Sequence, residues 1–116
     1  KHPNIPLLIT ETGLSVSPNA QNIGPPNYGY GGNTETEQAS GLLQNINDIS
    51  RANQTIAGVC IQEYLDAWWK FGLEDSYSQD PTDIEEWFGL VKLNPENNWY
   101  TTESRLAYDT IKNHWH

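Results

Sequence analysis

Two glutamates, Glu11 and Glu63, each follow closely on a short apolar segment of the sequence. Glu11 comes after residues 5–9 (IPLLI) and is flanked by two threonines, whereas Glu63 comes after residues 56–61 (IAGVCI). A carboxylate at the rim of an apolar interior is costly unless it is hydrogen-bonded or used in chemistry. Glu11 is therefore either a reactive group or a structural one that caps a helix or pairs with a loop cation. Glu63 is either a ligand contact or a structural hydrogen-bond acceptor.

Aromatic and acidic side chains continue directly from Glu63. The segment carries Tyr64, Asp66 and the adjacent tryptophans Trp68 and Trp69. Neighbouring tryptophans at the mouth of a strand can form a wall that stacks on the apolar face of a sugar ring. Alternatively, one or both fill the interior as hydrophobic plugs.

The elements that would position these residues follow from hydrophobic spacing. Consecutive apolar residues over 5–9 and 56–61 predict two parallel strands, each covered on both faces. A capping box over residues 34–37 (TETE) and apolar residues at helical spacing predict a helix over residues 35–52. A second helix is predicted over residues 102–115. Residues 14–33, rich in Gly and Pro, and residues 71–99 are predicted to be long loops.

The order of strand, loop, helix, strand, loop and helix is typical of parallel βαβ units in an α/β fold. In such units ligands collect where loops leave the carboxyl ends of the strands. Glu11 and Glu63 both lie at those ends. We therefore expect the two carboxylates at one edge of one sheet.

At these positions the sequence resembles a known family. Residues 6–13 (PLLITETG) resemble the seventh strand of retaining glycoside hydrolases built on (β/α)8 barrels. Residues 58–70 (GVCIQEYLDAWWK), 85–91 (EEWFGLV) and 105–111 (RLAYDTI) resemble the eighth strand, the segment after it and the closing helix. The glucan-acting branches, including β-glucanosyltransferase-like proteins, are the most similar. The resemblance covers nearly the whole chain in the right order.

The resemblance implies a fold, a reaction and a set of roles. Residues 1–116 would be the C-terminal portion of a (β/α)8 TIM barrel, its last two βα units, without separate domains. Glu11 would be the catalytic nucleophile, and the acid/base residue would lie outside this chain. The resemblance gives the exit of the eighth strand a substrate-binding role, which here falls on Glu63, Tyr64, Asp66, Trp68 and Trp69. The substrate would be an oligo- or polysaccharide with β-linkages, cleaved by hydrolysis or transferred to another sugar.

The length of the chain fits that reading. A complete barrel takes about 250 residues, whereas this chain has 116, and its apolar residues concentrate in two short runs. We therefore expect the remaining barrel units of the same protein as partners. We also expect that the isolated 116 residues neither fold well nor hydrolyse glycosides.

The composition of the chain argues against several other classes of partner. A net charge of −9 repels nucleic-acid phosphates and anionic lipids. No apolar run approaches the ~20 residues of a membrane span.

The histidines and the acidic run over residues 74–86 lack metal-ligand spacing, so we expect no metal and no cofactor. Cys60, within an apolar run, is expected to be a buried thiol. The compartment stays open, with an extracellular or cell-surface location favoured.

Two other functions are compatible with the same residues. The first is a carbohydrate-binding protein of the same fold that has lost catalysis. The second is an unrelated small α/β interaction domain, in which Glu11 caps a helix and the tryptophans belong to the core. A groove beside Glu11 would separate the two carbohydrate functions from the interaction domain.

Overall fold

The computed structural model describes residues 5–18, 31–52, 55–70, 78–97 and 99–115, which form a small mixed α/β domain with two separate two-stranded sheets. In chain order the elements are β1 (Leu7–Thr12), α1 (Glu35–Arg51), β2 (Ile56–Ile61), a short 3-10 helix (Ile84–Trp87), β3 (Val91–Glu96), β4 (Trp99–Ser104) and α2 (Leu106–His114). The predicted α/β class is confirmed. No barrel is identified within the described ranges.

The first sheet is the predicted βαβ unit. Strands β1 and β2 pair in parallel, with Leu8 opposite Gly58 and Ile9 opposite Val59, and α1 connects them. The capping box of α1 is confirmed, because the Glu37 amide donates to Thr34 Oγ1 at 3.2 Å and the Thr34 amide donates to Glu37 Oε2 at 2.7 Å. Strand β1 begins at Leu7, directly after Pro6, and extends through Glu11 to Thr12.

The second sheet corrects two predictions. Strand β3 lies inside the predicted loop over residues 71–99, and residues 102–104 belong to β4 rather than to the last helix. The two strands pair antiparallel from Val91 opposite Ser104 to Glu96 opposite Trp99. Asn97, with a φ of 46°, lies in the left-handed region that a tight turn between such strands favours. Helix α2 begins only at Leu106, after the hairpin has ended.

The apolar core lies between the two helices rather than between the strands. Its buried members come from α1, α2 and the segments that follow β1 and precede β3: Leu14, Ala39, Leu42, Ile46, Leu90, Ala107 and Ile111. Leu7 and Leu8 in β1 are 52% and 58% exposed. Leu7 and Leu8 are consecutive and point to opposite faces of the sheet, so the prediction that both strands are covered on both faces is wrong for this chain.

Cys60 in β2 is another correction, since it is exposed instead of buried. It lies in the same sheet as Leu7 and Leu8, whose side chains the described residues also leave largely uncovered. No helix in the described part of the chain is long and apolar enough to cross a membrane.

Candidate functional site

A cavity of about 260 Å³ lies at the carboxyl ends of the two parallel strands. The residues that line it come from the end of β1, from α1, from the exit of β2 and from the segment after the 3-10 helix: Glu11, Thr12, Gly13, Asn45, Gln62 and Phe88. Glu11 is exposed to solvent. The structure thus brings Glu11 and Gln62, the residue after β2, to one cavity, whereas the predicted partner Glu63 is not among the described residues that line it.

Gly13 allows the two strand ends to approach each other. The Gln62 amide donates to the Thr12 carbonyl at 2.8 Å, which continues the pairing of the strands past β2. A Cβ atom at Gly13 would lie 2.9 Å from Phe88 Cδ1 and 3.1 Å from the carbonyl carbon of Gln62, so a side chain there would push the strand ends apart. From the helix side, Asn45 Nδ2 donates to Thr12 Oγ1 at 3.0 Å and fixes the residue next to Glu11.

The backbone after β2 is held by the segment that precedes β3. The Glu63 amide donates to the Phe88 carbonyl at 3.2 Å, and the Leu90 amide donates to the Glu63 carbonyl at 2.8 Å. Val91 then donates to the Tyr64 carbonyl and pairs with Leu65 in a parallel bridge. Residues 63–65 are therefore positioned by backbone contacts that do not depend on their side chains.

The Glu63 side chain is held by a lysine that the sequence reasoning did not single out. Lys70 Nζ lies 3.2 Å from both carboxylate oxygens of Glu63. Burial raises the pKa of Glu63, and the nearby charges of Asp66 and Glu85 add to that rise, whereas Lys70 opposes it. In the sequence Lys70 follows Glu63 by seven residues and comes directly after Trp69. That position alone does not indicate a contact with Glu63.

Asp66 serves the interior of the domain. It is fully buried, and Arg105 donates to its two carboxylate oxygens at 2.7 Å and 2.6 Å. The Gly89 amide and the Gln79 side chain donate to the same carboxylate, each at 2.9 Å. Each oxygen of Asp66 thus accepts two hydrogen bonds from groups inside the protein, which gives this carboxylate a structural role.

The two adjacent tryptophans differ in exposure. Trp68 is 3% exposed and packs edge-on against Tyr100 of β4, with ring centroids 5.7 Å apart, whereas Trp69 is 62% exposed. Tyr64 is 64% exposed and makes an edge contact with Tyr108 of α2 at 6.5 Å. The two tryptophans therefore have different roles. Trp68 fills the interior, whereas Trp69, like Tyr64, presents its aromatic ring to solvent.

The cavity has few charged groups and few potential metal ligands in the part of the chain that the structure describes. Glu11 is the single carboxylate among the residues that line the cavity. No cluster of three or more His, Cys, Asp or Glu side chains suited to a metal ion occurs among the described residues. The cavity thus offers one acidic group, one hydroxyl and two side-chain amides to a ligand.

Comparison with models of protein families, with curated proteins and with solved structures found no match for this chain.

Proposed function

We propose that this chain is the C-terminal part of a retaining glycoside hydrolase or transglycosylase that acts on β-linked glycans, with Glu11 as the nucleophile. The observation that carries the proposal is the position of Glu11 at the carboxyl end of a parallel strand, in a cavity shared with the exit of the next strand. Catalytic residues of parallel barrels lie at this edge. The resemblance of residues 6–13 and 58–70 to the last two strands of such enzymes supports the same assignment.

The proposed reaction has two steps. A carboxylate oxygen of Glu11 bonds to the anomeric carbon while the glycosidic carbon–oxygen bond breaks, and the leaving oxygen takes a proton from a second carboxylic acid. That group then deprotonates a water molecule or a sugar hydroxyl, whose oxygen displaces Glu11 from the anomeric carbon. Retention requires the two carboxyl groups to be about 5–5.5 Å apart. We assign the second one to the rest of the polypeptide, after its fourth barrel strand.

The open side of the parallel sheet supports the assignment to a larger barrel. Leu7 and Leu8 of β1 expose more than half of their surface, and Cys60 of β2 is exposed as well. In a barrel, further strands would pair with the free edges of β1 and β2 and satisfy their backbone groups. The packed interior of the closed barrel and its outer ring of helices would cover the side chains on the two faces. The remaining barrel units are therefore the partner that the proposal requires.

The exposed aromatic residues supply the binding surface in this proposal. Trp69 and Tyr64 would stack on sugar rings, while buried Trp68 holds the segment in place from beneath. Glu63, at the exit of β2, would accept hydrogen bonds from sugar hydroxyls. A small interaction domain would have no groove beside Glu11 and would bury both tryptophans. The cavity beside Glu11 and the exposure of Trp69 therefore favour a carbohydrate-active protein.

Covalent labelling tests the role of Glu11. The complete polypeptide that contains this chain is incubated with an activated 2-deoxy-2-fluoro-β-glycoside, and its peptides are mapped by mass spectrometry. We expect the fluoroglycosyl group on Glu11, and we expect Glu11→Gln to lower turnover at least ~10³-fold, because removal of a nucleophile abolishes the covalent route. Glu96→Gln, an exposed glutamate of the hairpin, is the matched control and should retain activity.

A second candidate, a carbohydrate-binding protein without catalysis, is favoured by one observation. Glu11 has no second carboxylate among the described residues that line its cavity. Binding of a β-glucan oligosaccharide without labelling or turnover would establish this candidate and exclude the first. Label on a different glutamate, with Glu11→Gln fully active, would overturn the assignment of the nucleophile itself.

A further inference from the structure

A row of polar side chains connects the Glu11 cavity with the exit of β2. Gln62, which lines the cavity, donates from Nε2 to Glu85 Oε2 at 3.4 Å. The same oxygen of Glu85 lies 3.9 Å from Lys70 Nζ, and Lys70 in turn contacts both oxygens of Glu63 at 3.2 Å. The proposed function leaves two members of this row, Lys70 and Glu85, without a role of their own.

The pair between Lys70 and Glu63 differs from an ordinary surface ion pair. Their side chains are 25% and 24% exposed, so both charges are largely removed from water. The other charged groups that act on Glu63 are Asp66 and Glu85, both acidic, and both raise its pKa together with burial. Lys70 is thus the group that opposes protonation of Glu63. Because a partly buried pair is screened less by solvent than an exposed one, the two charges act more strongly on each other.

We infer that Lys70 is a positioning residue, which holds the Glu63 carboxylate ionised and fixed as an acceptor for a hydroxyl group of the sugar bound beside Glu11. This inference rests on the proposed function. Each carboxylate oxygen offers about two acceptor sites, so one contact per oxygen with Lys70 leaves sites for a ligand. A hydroxyl that donates to an ionised carboxylate makes a stronger hydrogen bond than one that donates to a neutral group.

The competing role for Lys70 is purely structural. Its amide donates to the Ala67 carbonyl at 3.1 Å, so the residue also closes the turn that carries the two tryptophans. A structural lysine would change stability when substituted but would leave the pH dependence of binding unaltered. The pH profile is therefore the readout that separates the two roles.

The experiment uses the complete polypeptide and a soluble β-glucan oligosaccharide between pH 4 and pH 8. For Lys70→Met we expect a KM roughly ten- to hundred-fold higher, from loss of a charge-assisted hydrogen bond, with a smaller change in kcat. The acid limb of kcat/KM should move up by about one pH unit, because an opposite charge at this distance no longer favours ionisation. Lys70→Arg should restore most of the affinity.

A matched control is Lys92→Met. Lys92 also contacts two glutamates, Glu103 at 3.2 Å and Glu35 at 4.0 Å, but it lies on the hairpin. We expect the KM and the pH profile of this variant to equal those of the unmodified protein. An unchanged KM and an unmoved acid limb in folded Lys70→Met would overturn the inference.

A titration gives a readout that does not depend on turnover. Carbon-13 NMR of labelled glutamate carboxylates, assigned with Glu63→Gln, follows the ionisation of Glu63 directly. We expect the midpoint to rise in Lys70→Met, or in Lys70→Gln if the first variant does not fold, and to return in Lys70→Arg. An unmoved midpoint would refute the role of Lys70. Failure of the proposed function is seen separately, as absence of both turnover and label on Glu11 in the unmodified protein.

Discussion

Two regions of this chain differ in how completely their groups find partners within it. In the first, the Asp66–Arg105 cluster, Arg105 is 2% exposed and donates to both oxygens of fully buried Asp66 and to the Gly89 carbonyl. Gln38 of α1 bridges the same Gly89 carbonyl to that of Leu14. Helix α1, the exit of β2 and the start of α2 are thereby joined by buried hydrogen bonds.

The parallel sheet is the opposite case. Leu7 and Leu8 are more than half exposed, and within the described ranges β1 and β2 pair only with each other. The radius of gyration, 15.5 Å, exceeds the ~13 Å of a compact domain of this length. The carboxylate of Asp66 and the guanidinium of Arg105 are thus satisfied inside the described part of the chain, where only Gln38 Oε1 and Trp68 Nε1 are buried without a hydrogen-bond partner. The strand that carries Glu11, by contrast, leaves two leucines more than half exposed.

Removing the buried cation should have the largest effect on stability. Arg105→Met leaves the fully buried charge of Asp66 uncompensated, and we expect a loss of about 3–5 kcal/mol in the free energy of unfolding. Urea denaturation of the complete polypeptide measures it. Arg51→Met is the control, since the pair with Asp48 is 80% and 57% exposed and should contribute about 0–1 kcal/mol. Equal losses in the two variants would show that the Asp66–Arg105 cluster does not anchor the fold.

The exposed leucines of β1 test whether other parts of the protein cover the parallel sheet. If further strands cover β1 in the complete polypeptide, Leu8→Ala should cost about 2–5 kcal/mol there, because a buried leucine is lost. Leu106→Ala is the control, since Leu106 of α2 is also largely exposed, at 47%. We expect it to cost less than about 1 kcal/mol. A cost for Leu8→Ala as small as that of the control would mean that the sheet face is a true surface.

Much of the first sheet could be predicted from the sequence because its signals are local. The apolar run of β2 matches the strand Ile56–Ile61, and Thr34 with Glu37 marked the start of α1. The position of Glu11 at the end of a parallel strand followed from the same pattern. Each of these predictions needed only neighbouring residues and the order of the elements.

The errors concern contacts between residues far apart in sequence. Strand β3 has two apolar residues, Val91 and Leu93, and a proline, Pro95, which gives only a weak strand pattern. Its pairing with β4 could not be predicted without knowing the partner strand. The role of Asp66 depends on Arg105, 39 positions later. Burial of both faces of β1 was predicted from apolarity alone, which reports what a strand tolerates and not what covers it.

A smaller effect should separate two glycines, one in each region. A Cβ at Gly89 would lie 2.6 Å from both Asp66 Oδ1 and the Val91 carbonyl oxygen. Gly89→Ala should therefore cost about 1–3 kcal/mol through overpacking. A Cβ at Gly58 would meet only Leu8 Cδ1, at 3.3 Å, and we expect Gly58→Ala to change stability by less than about 0.5 kcal/mol. Thermal unfolding of both variants tests this, and the reverse order would contradict the contrast in packing.

The smallest predicted effect concerns Glu63, which lies between the two regions. Burial raises its pKa from the ordinary 4.5, so the folded state binds this proton more tightly than the unfolded chain does. The stability that this provides is complete below about pH 4.5 and is lost as the pH rises through the folded-state pKa. Relative to the unmodified protein, Glu63→Gln should therefore gain stability as the pH rises from 4.5 towards 7. With Lys70 as a partial offset, we expect less than about 1 kcal/mol.

Glu103→Gln gives the opposite sign and serves as the control for that measurement. Hydrogen bonding from Lys92 lowers the pKa of Glu103, so its contribution is present above the ordinary pKa and lost as the pH falls through the folded-state value. Urea midpoints of both variants across pH 3–7 should diverge from the unmodified protein in opposite directions. A Glu63→Gln curve parallel to that of the unmodified protein would mean that the exit of β2 is as well solvated as the hairpin. The boundary between the two regions would then lie past Glu63, closer to Asp66.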